Sequence, residues 1–182
     1  VHLLRAAESL PPDAQLVLCA AAPDTREIAE EFDRLTAALQ ASRGNVFVLG
    51  EMLPRIELIQ VLSHATVFVC PSVYEPFGLV NVEAMACETA VVASETGGIP
   101  EIVVEGETGF LVRLGETDSV TGEPLDPPGF AGRLAGAVNK VLADPELARR
   151  MGNAGRRRAV QHFSWDAAAA KTVEVYKKAA GL

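Results

Sequence analysis

Two carboxylates frame a glycine turn near the middle of the chain, in Glu75-Pro76-Phe77-Gly78-Leu79-Val80-Asn81-Val82-Glu83. Strand-like residues run into this turn, and helical residues leave it. Gly78 permits a sharp reversal and lets the backbone come close to something bound. A helix starting near Leu79 aims unpaired N–H groups and its positive dipole end at the same spot. An anion belongs there, and phosphate fits best. Glu75 lies in the loop before the helix, whereas Glu83 lies one turn inside it, about 6 Å further along at about 1.5 Å per residue. Carboxylates make poor direct partners for a phosphate, so both read as acceptors for sugar hydroxyls on either side of it. A nucleotide sugar has that layout: hexose, diphosphate, ribose.

Two Glu residues eight positions apart are common in acidic helices, and it is the glycine turn between them that makes the pattern specific. A hydrolase with paired carboxylates uses two acids around one glycosidic bond. An anion site between the two Glu argues against it, because each would then address a different group of one ligand. His64 falls at a helix end, and His2 and His162 are peripheral, so no nucleophile with a base partner stands out. Clusters of Asp, His or Cys at metal-ligand spacing are lacking in the sequence.

Together with TGGIPEIV and GETGFLV further on, EPFGLVNVEAMA resembles the signature of retaining glycosyltransferases of the glycogen synthase and sucrose synthase superfamily. The resemblance covers most of the chain as the C-terminal, donor-binding half of the two-domain GT-B fold, and its nearest form is the actinobacterial glycogen synthase type. It implies that Glu75 contacts the donor hexose and is the candidate catalytic residue. It also implies that backbone amides from Phe77, Gly78, Leu79 and Val80 hold hexose and distal phosphate, and that Glu83 binds the ribose hydroxyls. Donor binding without a metal or other cofactor is implied as well. In that family a Gly-Arg and a Lys-Gly just upstream contact the donor phosphates. The chain is therefore expected to be a fragment, lacking that first strand, those two cations and the acceptor-binding N-terminal domain.

A chain of 182 residues, 49% hydrophobic, can bury one good core, so a single nucleotide-sugar-binding domain over 1–182 is expected. With 24 acidic against 16 basic residues the net charge is −8, opposite to the footprint of a nucleic-acid binder. Cys19, Cys70 and Cys87 sit in apolar segments without CxxC spacing, which points to reduced, buried thiols in a cytoplasmic protein. The sequence has no run of about 18 apolar residues and no signal-peptide pattern, so no membrane insertion is expected.

Around the turn, strands alternate with helices, which predicts an α/β fold: a Rossmann-like, doubly wound parallel sheet covered on both faces, with a helical C-terminal tail. Helical spacing over 2–10 precedes a strand over 15–20. Asp24 could cap a helix to about 41 with Ile28, Phe32, Leu35 and Leu39 on its core face. Strands follow over 46–49, 66–70 and 90–94, with helices over about 54–63, from Leu79, and over 99–103. Ligands in such sheets bind beyond the carboxyl ends of the strands. The loop 50–54 lies at one such end, and the resemblance gives it to the nucleobase. Gly97 and Gly98 could bring amides to the diphosphate or could equally form a turn capping the next helix. Residues 114–129 read as a surface loop inserted before the tail. The tail, from about 128 to 182, divides into three helices, the last capped by Ser164, with Trp165, Ala169, Val173 and Tyr176 on one face. In the family this last helix crosses back onto the other domain. Arg5 and Arg26 read as solvated helix charges, and Arg156-Arg157-Arg158 as one charged helix face.

The function expected is transfer of glucose, with retention, from ADP- or UDP-glucose to an α-glucan or related glucosyl acceptor reached through the N-terminal domain. This half alone is expected to be inactive. A non-catalytic nucleotide-sugar-binding module and a GT-B nucleotide-sugar epimerase are the alternatives.

Overall fold

Short Val-rich and Ala-rich segments form the strands of the computed structural model, which describes residues 1–20, 23, 25–50 and 52–181. Helix α1 (His2–Ala7) leads to β1 (Leu16–Cys19), α2 (Arg26–Ser42), β2 (Val46–Leu49) and α3 (Arg55–His64). Then come β3 (Val67–Cys70), α4 (Leu79–Ala86), β4 (Ala90–Ser94), α5 (Ile99–Ile102) and β5 (Gly109–Val112). The tail is α6 (Pro127–Ala143), α7 (Pro145–Phe163) and α8 (Trp165–Ala179). All strand pairs are parallel, as the βαβ alternation predicts, and they form two ladders: β1 with β2, and β3-β4-β5 in that order.

Strand β4 is the centre of the larger ladder, and all five of its residues are buried. Its side chains alternate between two layers. Ala90 and Val92 pack with Phe130, Leu134 and Val138 of α6. Val91 and Ala93 pack with Met85 of α4, Ile99 and Ile102 of α5, and Ala159 of α7. An apolar run buried on both faces is what a central parallel strand requires, and each large side chain buried there contributes about 1.5–3 kcal/mol. The smaller ladder departs from the expectation of two covered faces. Leu16, Leu18 and Val46 meet Leu4 and Ala7 of α1 and Leu39 of α2. On the opposite face Val17 and Phe47 are 41% and 48% exposed.

Helix α4 is fixed in place by α7. A Cβ on Gly152 would stand 1.9 Å from the Glu88 carbonyl oxygen, and one on Gly155 would stand 3.1 Å from Met85 Cγ. Only glycines let α7 pass this close. Glu88 itself takes φ 62°, the left-handed turn that ends α4. Arg156 donates to the carbonyl of Ala86, and Arg158 donates through Nε to Ile102 O and through Nη2 to Glu101 O, both at 2.7 Å. Arg156 and Arg158 are thus turned onto the carboxyl ends of α4 and α5, where a cation complements the helix dipole; Arg156 and Arg157 remain exposed, as a charged helix face predicts, while Arg158 is half-buried. Arg5, its side chain still 32% exposed, pairs with Glu31 of α2 at 2.5 Å.

Other boundaries move by a residue or two. Thr25, whose hydroxyl accepts from the Ile28 amide at 3.3 Å, caps α2, while Asp24 lies outside the described residues. Of the predicted α2 stripe only Leu39 is buried; Phe32 and Leu35 pack at the cluster edge, and Ile28 is exposed. The three cysteines are free, with Cys70 buried, Cys87 half-buried and Cys19 exposed. Cys19 corrects the expectation of a buried thiol, because it points to the uncovered face of β1. Ser164 caps α8 as predicted, accepting from the Ala167 amide at 3.2 Å, yet α8 buries none of its residues. Among the described residues no helix is long and apolar enough to cross a membrane.

Candidate functional site

Two loops leave the carboxyl ends of neighbouring strands β3 and β4 and are stitched together. Thr96 Oγ1 donates to Val73 O at 3.3 Å, and the Gly98 amide donates to Glu75 O at 2.9 Å. Contact between the loops is backbone on backbone. A Cβ on Gly97, at φ +52°, would stand 1.9 Å from Glu75 O, and one on Gly98 would stand 2.7 Å from Phe77 Cα. The glycine pair therefore shapes residues 75–77 directly, and the Gly98 N–H is already committed to Glu75. That contact joins segments some twenty residues apart in sequence, and nothing local in Thr96-Gly97-Gly98 announces it.

Gly78 is the N-cap of α4 in the left-handed region, φ 101° and ψ 40°, with no side chain capping the helix. The Asn81 amide bonds Gly78 O at 2.9 Å, whereas the amides of Leu79 and Val80 meet no acceptor among the described residues. These N–H groups and the dipole of α4 direct partial positive charge beyond the carboxyl ends of the strands, where a ligand of an open α/β sheet is expected. Glu75 lies before the turn, half-buried, and Glu83 lies on the exposed face of α4 one turn beyond it. Neither carboxylate takes part in a salt bridge among the described residues, so both keep their acceptor capacity.

Tyr74, Phe77 and Leu79 are exposed around the turn. Phe77 also meets Phe163 edge to face, with ring centroids 6.1 Å apart, and the Arg158 guanidinium lies 5.7 Å from the Phe163 centroid. The turn is thereby connected to the end of α7, a link that sequence patterns alone do not reveal. Glu75, Phe77, Gly78, Leu79, Val80, Glu83, Gly97 and Gly98 all lie in or beside these two loops. Of the loop 50–54, Glu51 lies outside the described residues. Among the described residues, no three His, Cys, Asp or Glu side chains come together as they would to hold a metal.

Parallel ladders packed against helices, with loops leaving the carboxyl ends of the strands and a helical tail, make up the Rossmann-like half of a GT-B glycosyltransferase. The chain belongs to the glycosyl transferases group 1 family, whose sequence pattern matches residues 1–158. It is 52% identical over 177 residues to the alpha-maltose-1-phosphate synthase of Mycolicibacterium smegmatis, a match covering 97% of this chain and 44% of the relative. To the glycogen synthase of Mycobacterium tuberculosis it is 41% identical over 124 residues, covering 68% of this chain and 27% of the relative. The likeness to glycogen synthase is thus the weaker of the two. The structure of Anabaena HepE in complex with UDP and glucose superposes with a TM-score of 0.76 at 25% identity, over 97% of this chain and 44% of that one. The chain spans less than half the length of each of these relatives.

Proposed function

We propose that this chain is the donor-binding half of a retaining glucosyltransferase that takes glucose from a nucleoside diphosphate glucose, ADP- or UDP-glucose. One observation carries the reading: the uncapped, left-handed Gly78 N-terminus of α4, with acceptor-free amides at Leu79 and Val80, stands between Glu75 and Glu83. The amides from Phe77 to Val80 hold hexose and distal phosphate, Glu83 accepts from the ribose hydroxyls, and Glu75 positions the hexose. A complex of UDP and glucose with a protein of the same fold supports a nucleotide-sugar ligand.

Glucose leaves with its anomeric configuration kept when the acceptor attacks the face from which the diphosphate departs. The acceptor oxygen bonds the anomeric carbon, the bond from that carbon to the phosphate oxygen breaks, and the leaving phosphate oxygen takes the acceptor proton. No side chain is then needed as a base. Glu75, beside the reacting carbon, stabilises the positive charge that develops there. Donor binding needs no metal in this scheme, because the helix N-terminus meets the phosphates.

The acceptor is a glucosyl group, and the 52% identity to a maltose-1-phosphate synthase favours glucose 1-phosphate over a long α-glucan. Incubating the intact protein with ADP- or UDP-glucose and either glucose 1-phosphate or glycogen, and following anomeric protons by NMR, tests this. A new α-linked glucosyl product with one acceptor is expected. Release of free glucose, a changed sugar on the nucleotide, or no product with any donor would instead support a hydrolase, an epimerase or a non-catalytic module.

A further inference from the structure

Beneath the turn lies a buried carboxamide with nothing to bind. Asn81 is fully buried, and among the described residues it is the one side chain with two buried polar atoms, Nδ2 and Oδ1, that lack a partner. An unpaired amide in the interior is costly, and an apolar side chain of similar volume would fill that space at less cost. Its position is informative. Asn81 is the third residue of α4, from which a side chain reaches back to the N-cap backbone. Its Nδ2 stands 2.9 Å from where a Cβ on Gly78 would be. The backbone of the turn therefore lies between two sets of unpaired groups, the Asn81 carboxamide inside and the Leu79 and Val80 amides outside. Gly78, free to adopt either sign of φ, is the joint about which the turn could adjust.

We propose that Asn81 is a positioning residue for the donor turn, its carboxamide pairing with the turn backbone when Leu79 and Val80 take hold of the donor diphosphate. Oδ1 accepts from the N-cap N–H and Nδ2 donates to a turn carbonyl, so hydrogen bonds missing in the unliganded chain are made on binding. Part of the affinity for the diphosphate then comes from a residue that never touches it. This rests on the donor-site reading above.

The test follows backbone and side-chain amide resonances of the intact, 15N-labelled protein as ADP, UDP and GDP are added. Shifts are expected at Leu79 and Val80, and the Asn81 NH2 pair should move in the same titration and exchange more slowly with solvent. Replacing the carboxamide by an apolar side chain, Asn81→Leu, should keep or raise the melting temperature while weakening nucleotide binding roughly tenfold. A purely structural residue would show the opposite pattern, lower stability with unchanged affinity. Should the leucine not fit, Asn81→Ala supplies the same affinity comparison, and the wild-type NH2 resonances need no variant. Shifts at Leu79 and Val80 with a stationary Asn81 side chain and unchanged affinity in the variant would overturn the inference and leave the donor site standing. No shift at Leu79 and Val80 with any nucleotide would overturn both.

Discussion

Gly78 tolerates no side chain, for two independent reasons. Its φ of 101° is costly for any residue with a Cβ, and that Cβ would press on Asn81 Nδ2 at 2.9 Å and on Ile99 and Ile102 at 3.3 Å. Gly78→Ala should cost about 1–3 kcal/mol of stability, read as a melting temperature lower by about 2–4 °C for each kcal/mol, and should also weaken nucleotide binding. Glu75 and Glu83 behave differently, because among the described residues neither carboxylate is tied into the fold by a salt bridge. Glu75→Gln should leave the melting temperature and the affinity for the free nucleoside diphosphate unchanged while lowering kcat for glucosyl transfer. A fall in kcat/KM with kcat intact would give Glu75 a contact made equally in the ground and transition states, with no part in stabilising the developing charge.

Elements hold the turn from behind. The Gly97-Gly98 loop after β4 presses on residues 75–77, and Arg158 of α7 ties down the end of α5 while lying against Phe163, which in turn meets Phe77. Gly97→Ala places a Cβ 1.9 Å from Glu75 O, so one of the two loops must move. Both stability and donor affinity should fall, because the displaced backbone carries Glu75. Arg158→Met keeps the aliphatic stem and removes two hydrogen bonds to carbonyls, which should cost about 1–3 kcal/mol in urea unfolding. The strands and the helix start at Leu79 were legible in the sequence, since apolar β-branched runs and a glycine before a helix are local signals. What Gly97, Gly98, Arg156 and Arg158 touch was not, because each meets backbone brought to it by tertiary packing. Charge runs read alike whether they face water or a helix end, and Asn81 in a helix reads as an ordinary polar residue until its burial is seen.

At the scale of the whole molecule, the turn before α4 lies beyond the carboxyl end of β3, and α8 buries none of its residues. Trp165 is 91% exposed and Tyr176 70%, and no residue of α8 is buried. Trp165→Ser should therefore change the melting temperature of this chain little, and a loss of about 1–3 kcal/mol would contradict the exposed placement of Trp165. A family match over residues 1–158 and a shared fold establish what kind of domain this is, and the two carboxylates around the α4 N-terminus make the specific claim that it holds a nucleotide sugar. Calorimetric titration of the intact protein with ADP-glucose and UDP-glucose, wild type beside Glu83→Ala, tests that claim most directly. One donor should bind the wild type, and the substitution should weaken it about 10–100-fold through loss of the hydrogen bonds to ribose. Equal affinity for that donor in the two proteins would contradict the account, because the ribose would then lie elsewhere and α4 would not be the element that reads it.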